Sequence, residues 1–171
     1  MCIRDRYITH TKRLKVDTHS IERFIESVRC LGEKTGVVLV QLPPELAFDE
    51  PLMRYFFALL DRKLRYTVEA RNKSFIDDRF FELLKENNIA WCIADSAGQF
   101  PYHEAVTAPF IYIRLHGSQR LYASDYSDEE LKVWKDKILN WNRDIFVYFD
   151  NDFYGYAVRN ALKLKSLLIS C

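Results

Sequence analysis

Short apolar runs, each ending on a polar or charged residue, recur along this chain. They alternate with longer segments whose apolar residues recur every three to four positions, the spacing of a helix with one buried face. Because continuous apolar runs are typical of strands covered on both faces, the pattern predicts a parallel sheet joined by helices. The predicted strands are residues 37–41, 65–69, 89–94, 110–115 and 144–149, and the predicted helices are residues 19–31, 51–60, 77–86, 127–139 and 154–169.

A further strand is predicted near the start of the chain, where Tyr7-Ile8-Thr9 has the pattern of a strand's end. The total would then be about six parallel strands. They would form either an open doubly wound sheet or an incomplete barrel, since a complete (β/α)₈ barrel typically needs about 250 residues.

Composition and charge narrow the class of protein. The formal net charge is +1, with acids and bases interspersed, so we expect no nucleic-acid partner. No apolar run approaches the roughly 18 residues of a membrane span, so we expect no membrane association. The four cysteines show neither a C-x-x-C pair nor zinc-ligand spacing, and Cys30 and Cys92 are predicted to be buried. A cytoplasmic location is the resulting expectation.

Two carboxylates follow successive predicted strands. In a parallel α/β sheet the carboxyl ends of the strands lie on one rim, so Glu69 and Asp95 are expected there together. A pair of carboxylates can divide acid and base roles in glycoside hydrolysis or proton abstraction. The structural alternative is that Glu69 pairs with Arg71 and that Asp95 caps the following turn through Ser96.

Basic side chains end other predicted strands. Arg71 and Arg114 are candidates for clamping an anionic group, although a neighbouring carboxylate would equally satisfy a buried arginine. His116 can act as a general base or a metal ligand. His10 would join it on the rim and allow a divalent metal, but there is no H-E-x-x-H spacing, so hydrogen bonding is favoured and no metal ligands are assigned.

Polar residues precede the last predicted helix. Asp150, Asn151 and Asp152 fit N-capping of that helix better than anion binding at its N-terminus. Asn151 is nevertheless kept as a candidate ligand-binding residue. Ser127 and Glu130 have the spacing of a capping box at the start of the preceding helix.

Five segments together resemble the YecE-like proteins (domain of unknown function 72). They are LVQLPPELAFD (39–49), VEARNKSF (68–75), IADS (93–96), YIRLHGS (112–118) and VYFDNDFYGYAVRNALKL (147–164). The resemblance covers nearly the whole chain after Arg6. It implies a TIM-type βα barrel whose biochemical function is generally unknown.

The same resemblance implies that this chain is an N-terminally truncated member. Members of the family usually carry two further βα units before the point at which this chain begins. The segment YITHTKRL resembles their third strand and the loop after it, whereas residues 1–6 do not resemble family sequence. We therefore expect a non-native or miscalled start at residues 1–6 and a single βα-barrel domain, as a fragment, over residues 7–171.

The leading hypothesis is an acid–base enzyme acting on a small polar substrate, sugar-like or phosphorylated, at the carboxyl ends of the strands. The candidate catalytic residues are Glu69, Asp95 and His116, and the candidate substrate-binding residues are Arg71, Arg114, Gln41 and Asn151. The alternatives are a non-catalytic scaffold that binds a ligand or nucleic acid, and a metal-dependent hydrolase or isomerase. The sequence leaves open the substrate, any cofactor, the oligomeric state and whether the protein is an enzyme.

Overall fold

Parallel strands followed by helices build both of the units into which this α/β chain divides. A computed structural model describes residues 2–3 and 5–169, with side chains over residues 5–169. The described residues up to 92, together with 105–108, form the first unit, and residues 93–104 and 109–169 form the second. One strand, β4 (Ala90–Asp95), gives its first three residues to the first unit and its last three to the second.

The first unit has parallel strands in chain order. Before β4 these strands are β1 (Cys2–Ile3), β2 (Val37–Gln41) and β3 (Tyr66–Glu69), and the helices are α1 (Thr18–Arg29), α2 (Glu50–Ala58) and α3 (Asp78–Glu86). The register sets Gln41 opposite Glu69 at the carboxyl ends of β2 and β3. All the residues of these two strands are buried, as their continuous apolar patterns predict.

Aspartate caps and an aromatic core shape the helices of the first unit. The N-cap residue of each of the three helices is an aspartate whose side chain accepts a hydrogen bond from a backbone N–H of the first turn. On α3, the fully buried Phe80 packs its ring 4.9 Å from that of Phe75 and 6.3 Å from that of Trp91, measured between centroids. Such edge-to-face contacts are favoured between aromatic rings.

The second unit continues from the end of β4. Its other strands are β5 (Phe110–Leu115) and β6 (Asp144–Phe149), and its helices are α4 (Asp128–Trp141) and α5 (Tyr156–Ile169). β5 and β6 are parallel over their full length. The backbone N–H of His116 donates to the carbonyl oxygen of Asp95 at 2.8 Å, and that of Asp150 donates to Leu115 at 2.8 Å. The polar residues that end these strands therefore lie at one edge of this unit.

The start of α4 has the predicted capping box. Ser127 Oγ accepts from the backbone N–H of Glu130 at 3.2 Å, and Glu130 Oε2 accepts from the backbone N–H of Ser127 at 2.7 Å. Two N–H groups that the helix itself cannot pair are satisfied in this way. None of the helices in the described ranges has the length and apolar character needed to span a membrane.

The five main predicted strands and all five predicted helices are confirmed to within a few residues. The strand predicted at Tyr7-Ile8-Thr9 is wrong, because residues Tyr7–Thr11 form a π-helix. Asp5 explains the difference: its carboxylate accepts from the backbone N–H of Ile8 at 3.0 Å, and its carbonyl accepts from Thr9 Oγ1 at 2.8 Å. The expected count of about six strands is therefore corrected to five strands of four to six residues, which follow the two-residue β1.

The two cysteines predicted to be buried differ in the structure. Cys92 is buried within β4, as predicted. The prediction for Cys30 is wrong, since this residue follows the last turn of α1 and is exposed.

The segment 105–108 is joined to β4 by one buried hydroxyl. Thr107 Oγ1 accepts from the backbone N–H of Trp91 at 2.7 Å and donates to the carbonyl of Ile89 at 2.7 Å. We expect Thr107→Val to lower the free energy of unfolding by about 1–3 kcal/mol, because both backbone groups would lose their partner while buried. Urea unfolding followed by circular dichroism measures the change.

Thr107→Ser is the matched control, since it keeps the hydroxyl and removes only a methyl group. It should cost less than about 1 kcal/mol. An equal loss for the two variants would show that packing of the methyl group, and not the pair of hydrogen bonds, is what matters at this position.

Candidate functional site

A cavity of about 390 Å³ lies in the second unit, beside the carboxyl end of β4 and against α4. Its wall combines carboxylates, aromatic rings and one lysine. The lining residues that matter for its chemistry are Asp95, Tyr102, Tyr126, Glu130, Trp134 and Lys137. A cavity of this size and mixed character is typical of sites for small molecules, which range from about 300 to 1,000 Å³.

Asp95, the last residue of β4, is held in this wall by a tyrosine. The Tyr126 hydroxyl donates to Asp95 Oδ2 at 2.9 Å and accepts from the backbone N–H of Gly117 at 3.0 Å. Burial raises the pKa of Asp95, and hydrogen bonds from Tyr126 and from the backbone of Ala97 offset part of the rise. Burial and the adjacent carboxylate also raise the pKa of Tyr126, so its hydroxyl remains a donor.

Glu130 brings a second carboxylate to the cavity, on the first turn of α4. Partial burial by itself would raise the pKa of Glu130, but hydrogen bonding, including that from the Ser127 N–H, stabilises the ionised form and lowers it. The pKa values of the two cavity carboxylates are therefore shifted in opposite directions, up for Asp95 and down for Glu130.

Lys137 connects the loop after β4 to α4. Its ammonium lies 2.5 Å from a carboxylate oxygen of Glu104 and 3.0 Å from the hydroxyl of Tyr102, which itself donates to Glu104. The same ammonium is 4.9 Å from the centroid of the Trp134 ring, within the range of a cation–π contact. Although burial would lower the pKa of Lys137, its bonds to Glu104 and Tyr102 outweigh burial and raise it.

The structure brings two of the predicted basic residues together around Asp150. Arg114 Nη2 lies 2.9 Å from Asp150 Oδ2, and His116 Nδ1 lies 3.6 Å from the same oxygen. The imidazole of His116 is fully buried and contacts the rings of Phe100 and Tyr122 edge-on. Only 13% of the Arg114 side-chain surface is exposed, so its ion pair with Asp150 is largely shielded from solvent.

Asn151, a predicted ligand-binding residue, lies fully buried in an amide network. Its Nδ2 donates to the carbonyl of Ser124 and to Asn160 Oδ1, both at 2.8 Å. Asn160 in turn accepts from the backbone N–H of Tyr126 at 3.3 Å and donates to its carbonyl at 3.2 Å. This network fixes the backbone of Tyr126, the residue that holds Asp95.

The expected capping of the last helix is wrong. Asp152 precedes the short 3₁₀ helix Phe153–Gly155 but makes no side-chain capping hydrogen bond. The other two polar side chains are used elsewhere, because Asp150 pairs with Arg114 and Asn151 bonds to Ser124.

Three further predicted site residues form a cluster in the first unit. Gln41 Nε2 donates to Glu69 Oε2 at 2.9 Å, and Arg71 Nε lies 3.6 Å from Glu69 Oε1. The Glu69 side chain is fully buried. Its ion pair with Arg71 is the structural role that the sequence analysis gives as the alternative to catalysis. The closeness expected between Glu69 and Asp95 stays a prediction.

His10 does not end a strand, because it lies in the π-helix Tyr7–Thr11. Its Nδ1 is 2.8 Å from the hydroxyl of Thr9. Within the part of the chain whose side chains are described, no three His, Cys, Asp or Glu residues are grouped so that they could hold a metal ion.

Sequence reasoning did not assign most of this cavity. The sequence pattern predicts only a capping role for Glu130 and assigns no role to Trp134 or Lys137. A signal was available, since the three residues lie at positions i, i+4 and i+7 and therefore share one face of α4. Two of them are charged residues on the same helix face as a tryptophan.

A comparison with protein-family models matches residues 4–170 to DUF72, a protein family of unknown function. The chain belongs to the DUF72 family. No curated protein matches it significantly.

Solved structures of DUF72 proteins share the fold. A DUF72 family protein from Thermotoga maritima has a TM-score of 0.85 and 24% sequence identity over 98% of this chain and 73% of its own. A DUF72 family protein from Enterococcus faecalis has a TM-score of 0.80 and 22% identity, over 90% of this chain and 66% of its own. At this identity the likeness shows the fold alone.

Gly117 is expected to be essential for the position of Tyr126 in this DUF72 protein. Its φ is +115°, and a Cβ there would lie 2.7 Å from Ser124 Oγ and even closer to the carbonyl oxygen of Arg120. We expect Gly117→Ala to lower the free energy of unfolding by about 3 kcal/mol. Gly155→Ala is the control, because Gly155 has a φ of +73° but nothing within 4 Å of the added Cβ. It should cost about 1 kcal/mol, as strain alone does. Chemical denaturation of both variants checks this, and equal losses would contradict it.

The raised pKa of Asp95 predicts a pH-dependent contribution to stability. Above the ordinary pKa of 3.8 and up to the higher folded value, the folded protein holds a proton that the unfolded chain has lost. The free energy of unfolding that depends on Asp95 therefore falls as pH rises through this window and is constant above it. Denaturation of the wild type and Asp95→Asn over that range measures the difference between them. The wild type should lose stability relative to Asp95→Asn as pH rises, and a pH-independent difference would contradict the raised pKa.

Proposed function

We propose that this DUF72 protein is an acid–base enzyme that acts on a small polar substrate in the cavity of the second unit. The observation that supports the proposal is a cavity wall that holds two carboxyl groups in unlike surroundings, which shift their pKa values apart. Asp95 is buried against the Tyr126 hydroxyl, and Glu130 accepts from the Ser127 N–H. In enzymes that use two carboxylates, such a separation assigns the acid and the base. Asp95, with its raised pKa, is the proton donor, and Glu130, with its lowered pKa, is the proton acceptor.

Tyr126 and Lys137 have positioning roles in this proposal. Tyr126 is bonded to Asp95 and Gly117 and holds the carboxyl at the cavity wall. Lys137 is bonded to Glu104 and holds the loop after β4 against α4. A fixed donor and acceptor reduce the reorganisation needed when a proton moves.

We also infer that the α/β fold is a TIM-type βα barrel. Parallel strands followed by helices in both units support it. In such barrels the active site lies at the carboxyl ends of the strands, which agrees with the position of Asp95 at the end of β4. The single domain over residues 7–171, the missing first two βα units and the cytoplasmic location stay predictions.

The functional roles that the sequence predicts for the other residues remain predictions. They are the catalytic roles of Glu69 and His116 and the substrate-binding roles of Arg71, Arg114, Gln41 and Asn151. Because Glu69, His116 and Asn151 are fully buried, we propose a direct contact with substrate first for Asp95 and Glu130.

The test is turnover of a defined set of small polar compounds by the full chain. Proton abstraction is followed by NMR in D₂O as deuterium uptake by D-xylose, D-fructose and fructose 6-phosphate, and glycoside hydrolysis by release of nitrophenol from 4-nitrophenyl glucosides. We expect turnover of at least one compound. Asp95→Asn and Glu130→Gln should each lower its rate by about 100- to 10,000-fold, the usual contribution of general acid–base catalysis.

Exposed neighbours give matched controls. Glu129→Gln removes the same charge one residue from Glu130, and Asp152→Asn makes the same change as Asp95→Asn outside the cavity. Both should keep the wild-type rate. Full activity of Asp95→Asn, or the absence of turnover with every compound, would contradict the proposed function.

A further inference from the structure

We propose that the cavity beside β4 and α4 binds a neutral, polyhydroxylated ring such as a sugar, and not a phosphorylated compound. The inference takes the location of the site from the proposed function and adds the chemical class of its ligand. The inference depends on the charged side chains that line the cavity and on which of them already have a partner of opposite charge.

The acidic part of the lining disfavours an anionic ligand. The Glu130 carboxylate faces the cavity, and among the described lining residues the one cation, Lys137, is neutralised by the carboxylate of Glu104. Phosphate groups are usually bound by arginine, lysine or a free helix N-terminus. None of the described residues that line this cavity is an arginine.

The N-terminus of α4 is not available to a phosphate either. Its capping box uses the side chains of Ser127 and Glu130 on its first backbone N–H groups. The first turn carries Asp128, Glu129 and Glu130, three negative charges that would repel a second anion. A phosphate ester entering the cavity would therefore meet carboxylates without a compensating cation.

The aromatic part of the lining disfavours a cationic ligand. The ammonium of Lys137 already lies 4.9 Å from the centroid of Trp134 and 5.6 Å from that of Tyr102. The ring surfaces that could hold a ligand cation are therefore already occupied by this ammonium.

A neutral ring with several hydroxyl groups fits the groups that remain. Carboxyl and carboxylate oxygens accept hydrogen bonds from hydroxyl groups, and Asp95 and Glu130 provide such oxygens without requiring a charge on the ligand. Val133, Trp134 and the ring of Tyr102 provide apolar surface for the C–H face of such a ring. The cavity volume of about 390 Å³ suits a molecule of this size.

Binding to the isotope-labelled full chain tests the ligand class. Amide and indole NMR signals of Ser96, Gly98 and Trp134, all in the cavity wall, are followed during titration. The neutral probes are methyl α-D-glucoside, D-xylose and myo-inositol, and the charged probes are glucose 6-phosphate, inorganic phosphate and putrescine. We expect saturable shifts with at least one neutral probe and at least tenfold weaker binding of every charged probe.

Glu130→Gln separates charge from shape, because glutamine can keep the capping box. It should strengthen the binding of glucose 6-phosphate several-fold, whereas Glu129→Gln, outside the cavity, should leave the affinity for the neutral probes unchanged and strengthen the binding of glucose 6-phosphate less than Glu130→Gln does. The inference is overturned if a phosphate or an amine binds at these signals more tightly than the neutral probes, or if no neutral probe gives a saturable shift.

Failure of this inference can be distinguished from failure of the proposed function. Binding of a neutral sugar that is never turned over supports the ligand class and contradicts acid–base catalysis. Turnover of fructose 6-phosphate that is lost in Asp95→Asn supports the catalysis and overturns the ligand class.

Discussion

The hydroxyl of Tyr126 makes the hydrogen bonds on which the cavity depends. It joins the carboxylate at the end of β4 to the backbone that follows β5, through Asp95 and Gly117. Tyr126 directly precedes the N-cap of α4, so the same residue also fixes where that helix begins. The loop, the helix and the carboxylate are therefore positioned by one buried group. Its own backbone is held by the amide of Asn160.

Two buried charged side chains at strand ends are paired. Glu69 in the first unit is enclosed with Gln41 and Arg71, and Arg114 in the second is paired with Asp150. An unpaired charge at either position would cost several kcal/mol, by an order-of-magnitude estimate. These side chains come from strand ends, where sequence reasoning expects chemistry. A charged residue at the end of a strand can either take part in a reaction or neutralise the charge of a neighbouring side chain.

Much of the fold could be predicted because the apolar pattern and the caps agree. Residues 37–40 are apolar and all of β2 is buried, and the capping box at Ser127 marks the start of α4 within one residue. The π-helix at Tyr7–Thr11 could not be predicted from periodicity, because a local hydrogen bond to Asp5 decides it. Less of the candidate site could be predicted. Asp95 was found from its place after an apolar run, whereas Glu130 already had a structural explanation.

The carboxylate of Glu130 has two structural roles. It completes the capping box at the start of α4, and it lines the cavity. Most replacements at this position would fray the helix and alter the reactive wall in the same molecule. Only an amide of equal length keeps the first task while giving up the second. If Glu130 has the proposed role of proton acceptor, its loss would usually also weaken the start of α4, and an inactive descendant that still folds well would be expected to carry glutamine there.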